Sequence, residues 1–204
     1  MIFILLFLIS CAEPNLKMRD TAIVIVPSRN DIASGIKRKL WIGGVNIGRG
    51  KPDLLVGHPN HLTRGDRALI RFPLSSLIAA GQVKKAVLSL ELSKPFGEKM
   101  PRKIEIEHFI EDQPYLDLID LQHDMVEQIT SFTVDKQMPA PIKLSFDITR
   151  FINNDLQKGF SAITLRFKDP AAEQEGNPDN LPTGIAIRCE TIKLEIVIVI
   201  EREN

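Results

Sequence analysis

Two arginines four residues apart in an apolar run are the first candidates for chemistry. Arg67 and Arg71 lie in Arg67-Ala-Leu-Ile-Arg-Phe-Pro-Leu-Ser-Ser-Leu-Ile78. A guanidinium grips a carboxylate through two parallel hydrogen bonds, so this pair could anchor an acidic sugar such as a uronate. The competing reading is structural, because a charge near a core needs a partner. One arginine would then pair with Asp147 or a loop carboxylate and lock two sheets, and this is the preferred reading. Trp41 and Tyr115 are the only residues of their types and could stack on sugar rings. At 6% aromatic the chain is lean for a carbohydrate groove, so Trp41 reads first as a packing or rim residue. His58 and His61 share a loop, but no further ligands stand at fixed spacing for zinc. The acidic segment 169–183, from Asp169 through Asp179, carries hard oxygen ligands suited to a structural calcium. Its spacing matches no EF-hand loop, and a solvated loop is the plainer reading. No nucleophile elbow, metal-hydrolase helix or phosphate-binding glycine loop is present, so the reading is non-catalytic.

Composition narrows the partners. The chain has 204 residues, with 26 basic and 26 acidic side chains and no net charge. A nucleic-acid binder would show a basic excess, so no nucleic-acid partner is expected. The first nine residues are apolar but too short to span a bilayer, which takes about 20 residues as a helix. They fit the core of a secretory signal. Leu8-Ile9-Ser10-Cys11 resembles the bacterial lipobox, in which cleavage precedes a cysteine that then carries lipid. No Lys or Arg precedes the apolar run, and a non-lipidated signal peptide or a buried strand is the competing reading. The organisation expected is a signal peptide over 1–10, a lipidated tether over 11–20 and one domain over 21–204. Cys11 would be the lipidation site and the membrane a partner. Cys189 then has no disulfide mate; it falls in register with Ile185 and Ile187 and reads as a buried, inert thiol.

The elements that must position these residues read as strands. Thr21–Val26 is a β-branched run expected as a buried first strand. Ala68, Ile70 and Phe72 share one face by period two, while Arg67, Leu69 and Arg71 share the other. Pro73 cannot donate to a ladder and should end that strand. In 83–93, Ala86, Leu88, Leu90 and Leu92 face inward. In 103–110, Ile104, Ile106 and Ile110 face inward, His108 takes the inward register, and Lys103, Glu105 and Glu107 face out. Residues 111–140 are less regular, with one helical turn expected within 117–128. Ile142–Phe146 alternates again. Asp147 should cap a short helix in which Ile148, Phe151, Ile152 and Leu156 repeat at helical spacing, stopped by Gly159. Strands follow over 160–168, 184–190 and 191–201. Strands do not alternate with long helices, which excludes a parallel βαβ sheet. The fold class expected is all-β: an antiparallel two-sheet jelly-roll-type β-sandwich with one short helix.

The ordered motifs resemble the DNRLRE domain family, β-sandwich domains of secreted and surface proteins. Asn46-Ile-Gly48, Leu54-Leu-Val-Gly57, Arg67-Ala-Leu-Ile-Arg-Phe-Pro-Leu-Ser76 and Phe146-Asp-Ile-Thr149 carry the resemblance, in that order. Pro73 stands where the family has Asp, and its tryptophan elements are missing around 109–120. The resemblance implies a sandwich that binds rather than reacts, with polysaccharide as the ligand class. The function expected is a lipid-anchored cell-envelope binding module, located at the periplasmic face or cell surface. The alternatives are a structural or adhesion lipoprotein contacting another envelope protein, and, third, a polysaccharide lyase or hydrolase. Candidate ligand residues are Trp41, Arg71, Tyr115 and Arg67; candidate calcium ligands are Asp169 and Asp179.

Overall fold

Alternating apolar residues can bury one face of a strand, and two such faces must meet to exclude water. A computed structural model describes residues 17–28, 30–36, 53–58, 66–77, 82–93, 95–97, 99–113, 116, 125–174 and 182–202. Among them are eleven antiparallel strands. These are β1 (Lys17–Ile25), β2 (Ile32–Ile36), β3 (Asp53–His58), β4 (Asp66–Pro73), β5 (Gln82–Leu92) and β6 (Arg102–Phe109). β7 (Val126–Val134), β8 (Ile142–Asp147), β9 (Ala162–Lys168), β10 (Thr183–Arg188) and β11 (Lys193–Arg202) complete them. Two helices, α1 (Thr149–Lys158) and α2 (Pro170–Gln174), are short. The fold is all-β and sandwich-like.

One layer runs β1-β11-β5-β8, with β5 paired to β11 on one edge and to β8 on the other. The other runs β2-β4-β9-β6-β7. β3 and β10 pair with each other, and single bridges at Gly57 to Asp66 and at Ile187 to Leu92 link them to β4 and β5. Where β3 crosses β10, Gly57 sits at φ 115° opposite Gly184. A Cβ on Gly57 would lie 2.6 Å from the Thr183 carbonyl oxygen, so the last residue of Leu54-Leu-Val-Gly57 has to be glycine.

The core between the layers follows the alternation. Leu88, Leu90 and Leu92 of β5 meet Ile70 and Phe72 of β4, Ile104 and Ile106 of β6, and Leu165 and Phe167 of β9. A bulge in β5, opposite the Val197–Ile198 step of β11, brings Val83 onto the same face as Ala86. Helix α1 closes one end of this core with Phe151 and Ile152. The Asp147 carboxylate accepts hydrogen bonds from the Thr149 N–H (2.9 Å) and hydroxyl (2.6 Å). These bonds hold the Asp147 carboxyl below its ordinary pKa. Asp147 thus caps the helix from one residue before its first boundary residue, Ile148. Gly159, at φ 75°, ends the helix in the left-handed conformation that glycine takes without strain.

The structure departs from the sequence reading at several places. β1 is an edge strand rather than a buried one: Val24 is 57% exposed and Val26, just beyond it, 63%. It also begins at Lys17, inside the segment expected as a tether. Residues 126–128 are strand and 125 has no regular structure, so neither is helical turn; the remainder of that expected range, 117–124, lies outside the described residues. α2 is a second helix, inside the segment read as an acidic loop. Asp169 caps it, accepting from the Ala171 and Ala172 N–H groups at 3.1 Å, and Pro170 opens it. Glu107 keeps the outward register but is buried there, and Ile110 is only half-buried while Phe109 is buried. Cys189 is not in a strand: β10 ends at Arg188 and Cys189 opens a 3₁₀ turn, where burial pushes its thiol up to about 11.

Phe72 is fully buried between the layers, so Phe72→Ala should cost about 3–5 kcal/mol in equilibrium denaturant unfolding. Val24→Thr, on the exposed face of β1, should stay within about 0.5 kcal/mol of the parent.

Candidate functional site

The alternation of β4 sends Arg71 to the face away from the main core, onto the side shared with Leu69. That face is also covered. Leu69 packs with Ala33, Phe109 and Leu116 in a second apolar cluster. Beside it the Arg71 Nε donates to the Gln113 carbonyl at 2.6 Å, and Nη1 to Asp31 Oδ1 at 2.8 Å. The Asp31 carbonyl accepts from the Arg71 N–H at 2.8 Å, and its other carboxylate oxygen accepts from the Ser28 hydroxyl at 2.6 Å. The carboxylate that Arg71 meets is therefore that of Asp31, in the 28–31 turn, and not Asp147. Arg67, half-buried on the same strand face, stands opposite Gly35 of β2. Asp169 is buried against Arg102, whose Nε and Nη2 reach its two oxygens at 2.7 and 3.1 Å. With the α2 cap bonds added, both oxygens of Asp169 are already engaged by this chain. Trp41, Tyr115, Asp179, Cys11 and His61 lie outside the described residues. No group of three His, Cys, Asp or Glu side chains able to hold a metal occurs among the described residues.

Two polar sets lie on opposite faces of β6. On the outer face, Arg166 Nε donates to Glu107 Oε2 at 2.6 Å, and Lys168 reaches the other Glu107 oxygen and, at 3.5 Å, Glu105. Burial pushes the Glu107 carboxyl up, but its bonds to Lys168 and Arg166 outweigh this and hold it below its ordinary value. On the inner face, His108 Nε2 lies 2.8 Å from Asp155 Oδ2 of α1, and both side chains are buried. Burial pushes the Asp155 carboxyl up against the lowering effect of His108.

Two concave surfaces meet at β8. β7 pairs with β6 and β8 with β5, and no ladder joins β7 to β8. Between these two edges opens a cleft of about 540 Å³ lined by Ile129, Thr130, Ser145, Phe146, Asp147, Arg150 and Phe151. Phe132 and Phe146 face each other near its wall, with ring centroids 5.7 Å apart. The Arg150 guanidinium lies 4.6 Å over the Phe151 ring. A second groove of about 510 Å³ crosses the outer face of β5 and β8, lined by Ser89, Glu91, Lys143, Ser145, Thr191 and Lys193 among others. Ser145 belongs to both. Aromatic walls beside hydroxyl, carboxylate and guanidinium groups suit a ligand with an apolar face and a hydrogen-bonding edge, which is the chemistry of a pyranose ring.

The residues that line the cleft did not stand out in the sequence as a site. Phe146 and Phe151 sit at inward positions of a strand and a helix, and such phenylalanines read as core. The partial exposure of Phe146 arises because β7 and β8 end their layers side by side, while Phe151 stays buried behind the cleft wall.

The Glu107 pair sets a pH dependence. A carboxyl lowered by folding contributes stability above its unfolded pKa, near the ordinary 4.5, and loses it as pH falls toward its folded value. In Glu107→Gln, the acid-side loss of stability should be shallower than in the parent, and stability at neutral pH lower by roughly 1–3 kcal/mol, because Arg166 and Lys168 lose the carboxylate charge they share. Urea unfolding at a series of pH values measures both. No family model matches this chain, and no curated protein matches it significantly.

Proposed function

We propose that the protein is a non-catalytic binding module of the cell envelope, held to the membrane by lipid on Cys11, that takes a polysaccharide segment between β7 and β8. The observation that carries the reading is the cleft itself: the half-buried Phe132 and Phe146 rings beside Asp147, Arg150, Thr130 and Ser145, at an edge that no strand among the described residues covers. The lipobox-like Leu8–Cys11 and the DNRLRE-like motif series support the location and the ligand class. Arg71 serves this function by holding β4 to its covering turn, and Arg67, on the same face of β4, would act apart from the cleft. A calcium role for Asp169 is set aside, because both of its oxygens are already bonded within the chain.

A panel of neutral and acidic polysaccharides tests the reading by calorimetry. Binding should appear at micromolar to millimolar glycan, and Phe146→Ala or Arg150→Ala should weaken it about tenfold, or about 1.4 kcal/mol, with the fold intact by circular dichroism. No binding at millimolar glycan would sink the polysaccharide reading. Incorporation of labelled palmitate, lost in Cys11→Ser, checks the anchor.

One observation favours a second reading, a structural or adhesion role. β1 is an edge strand whose outer face exposes Val24, with Val26 just beyond, and such edges accept added strands. Cross-linking to an envelope protein that is lost in Val24→Lys, with glycan binding absent, would select it.

A further inference from the structure

A buried charge relay lies directly behind the proposed cleft. His108 is 1% exposed, and its ring sits 5.3 Å from that of Phe151, a cleft wall residue. One ring nitrogen, Nε2, is 2.8 Å from Asp155 Oδ2; the other, Nδ1, is 3.3 Å from Glu127 Oε1 of β7. The second Glu127 oxygen lies 3.9 Å from Arg150 Nη2, and Arg150 in turn covers Phe151. The chain of contacts therefore runs from the buried Asp155 through His108 to the two side chains that shape the cleft.

A neutral imidazole carries one N–H and can serve only one of these carboxylates, whereas the imidazolium donates to both. Asp155 strengthens the demand for a second proton. Its Oδ1 is buried and accepts no hydrogen bond, so if a neutral ring donates to Glu127 a proton must sit on Asp155 itself, whereas the imidazolium serves both carboxylates as anions. The remaining charged groups around the set are few. Lys158 and Asp112 act on Asp155, and Arg150 acts on Glu127. Glu107, Arg166 and Lys168 form their own cluster on the opposite face of β6, and β9 presents Leu165 opposite His108.

We propose that this relay regulates the cleft: the His108 imidazolium ties α1 to β7 and holds the Phe151–Arg150 wall, and loss of its proton as pH rises releases Glu127 and loosens that wall. Glu127 is the arm that lets go, since its contact is the longer one and its side chain is 42% exposed. Glycan affinity should then be highest in acid and fall about tenfold once His108 has lost its proton. The inference rests on the reading of the cleft as the binding site, but its device can be tested without any ligand.

The test follows the imidazole nitrogens of His108 and the ring signals of Phe151 by NMR in the full chain, from about pH 5 to about pH 9. Both nitrogens should carry protons at the acid end, and the Phe151 signals should change together with the loss of one. In Glu127→Gln, which keeps the shape of the rim and removes its charge, the midpoint of the pH-dependent change in the Phe151 signals should move to lower pH. A ring with one N–H throughout, a midpoint unmoved by Glu127→Gln, or Phe151 signals that ignore the His108 titration would overturn the relay. If Phe151 follows His108 and no glycan binds, the relay stands and only the binding reading fails. If glycan binds with equal affinity from end to end of the pH range, the binding reading stands and the regulation fails.

Discussion

A sheet buried on both faces cannot carry an unpaired charge, and the layer built on β4, β9 and β6 is such a sheet. Six of the seven residues of β9 are buried, among them Arg166. Leu69, Phe109 and Leu116 cover the face that a simple sandwich would leave to water. Every charge caught there needs a partner at hydrogen-bond distance, since breaking a buried pair costs about 3–5 kcal/mol. Arg166 has Glu107, and Arg71 has Asp31 and the Gln113 carbonyl. These pairs fix the 28–31 turn and the 111–113 segment onto the sheet. They also account for two arginines in an apolar layer without invoking a ligand for either.

The opposite condition holds at the layer edges. β7 and β8 each end a layer, and both leave inward-pointing phenylalanines half-covered. Helix α1 then turns across the gap and brings Arg150 and Phe151 to it, with the helix start pinned by Asp147. A concave surface that sets aromatic and aliphatic side chains beside polar ones is a place where a ligand can gain from leaving water. The asymmetry between a doubly covered layer and an open edge separates the residues that hold the fold from those free to bind.

Much of the fold was legible because period-two burial survives in most strands. β5, β8, β11 and the inward set of β4 follow their apolar alternation, and α1 follows its capping residues and the 148, 151, 152, 156 spacing. β7 was not legible. It has a bulge at Ile129, which is skipped as Gln128 and Thr130 pair with Glu107 and Ile106. Val126, Ile129 and Phe132 stand three apart in sequence and imitate a helical face, but on the strand Val126 packs in the second apolar cluster while Ile129 and Phe132 pack on the main core. α2 carried a usable signal in Asp169-Pro170, but the acidity of the segment pointed to loop. The cleft was not legible at all, because no residue type distinguishes a phenylalanine at a layer edge from one in its centre.

By itself the sequence determined the class of fold, the inward faces of its strands and the cap of its helix, since these rest on local spacing and on the chemistry of neighbouring residues. It also determined that Arg71 must find a partner, because a desolvated guanidinium allows nothing else. Which partner it finds, Asp31 rather than Asp147, was decided by the tertiary structure. So were the burial of Glu107, the exposure of β1 and the opening between β7 and β8. The physical reason is the same in each case: solvation of a strand face depends on what covers it, and the covering residues lie far away along the chain.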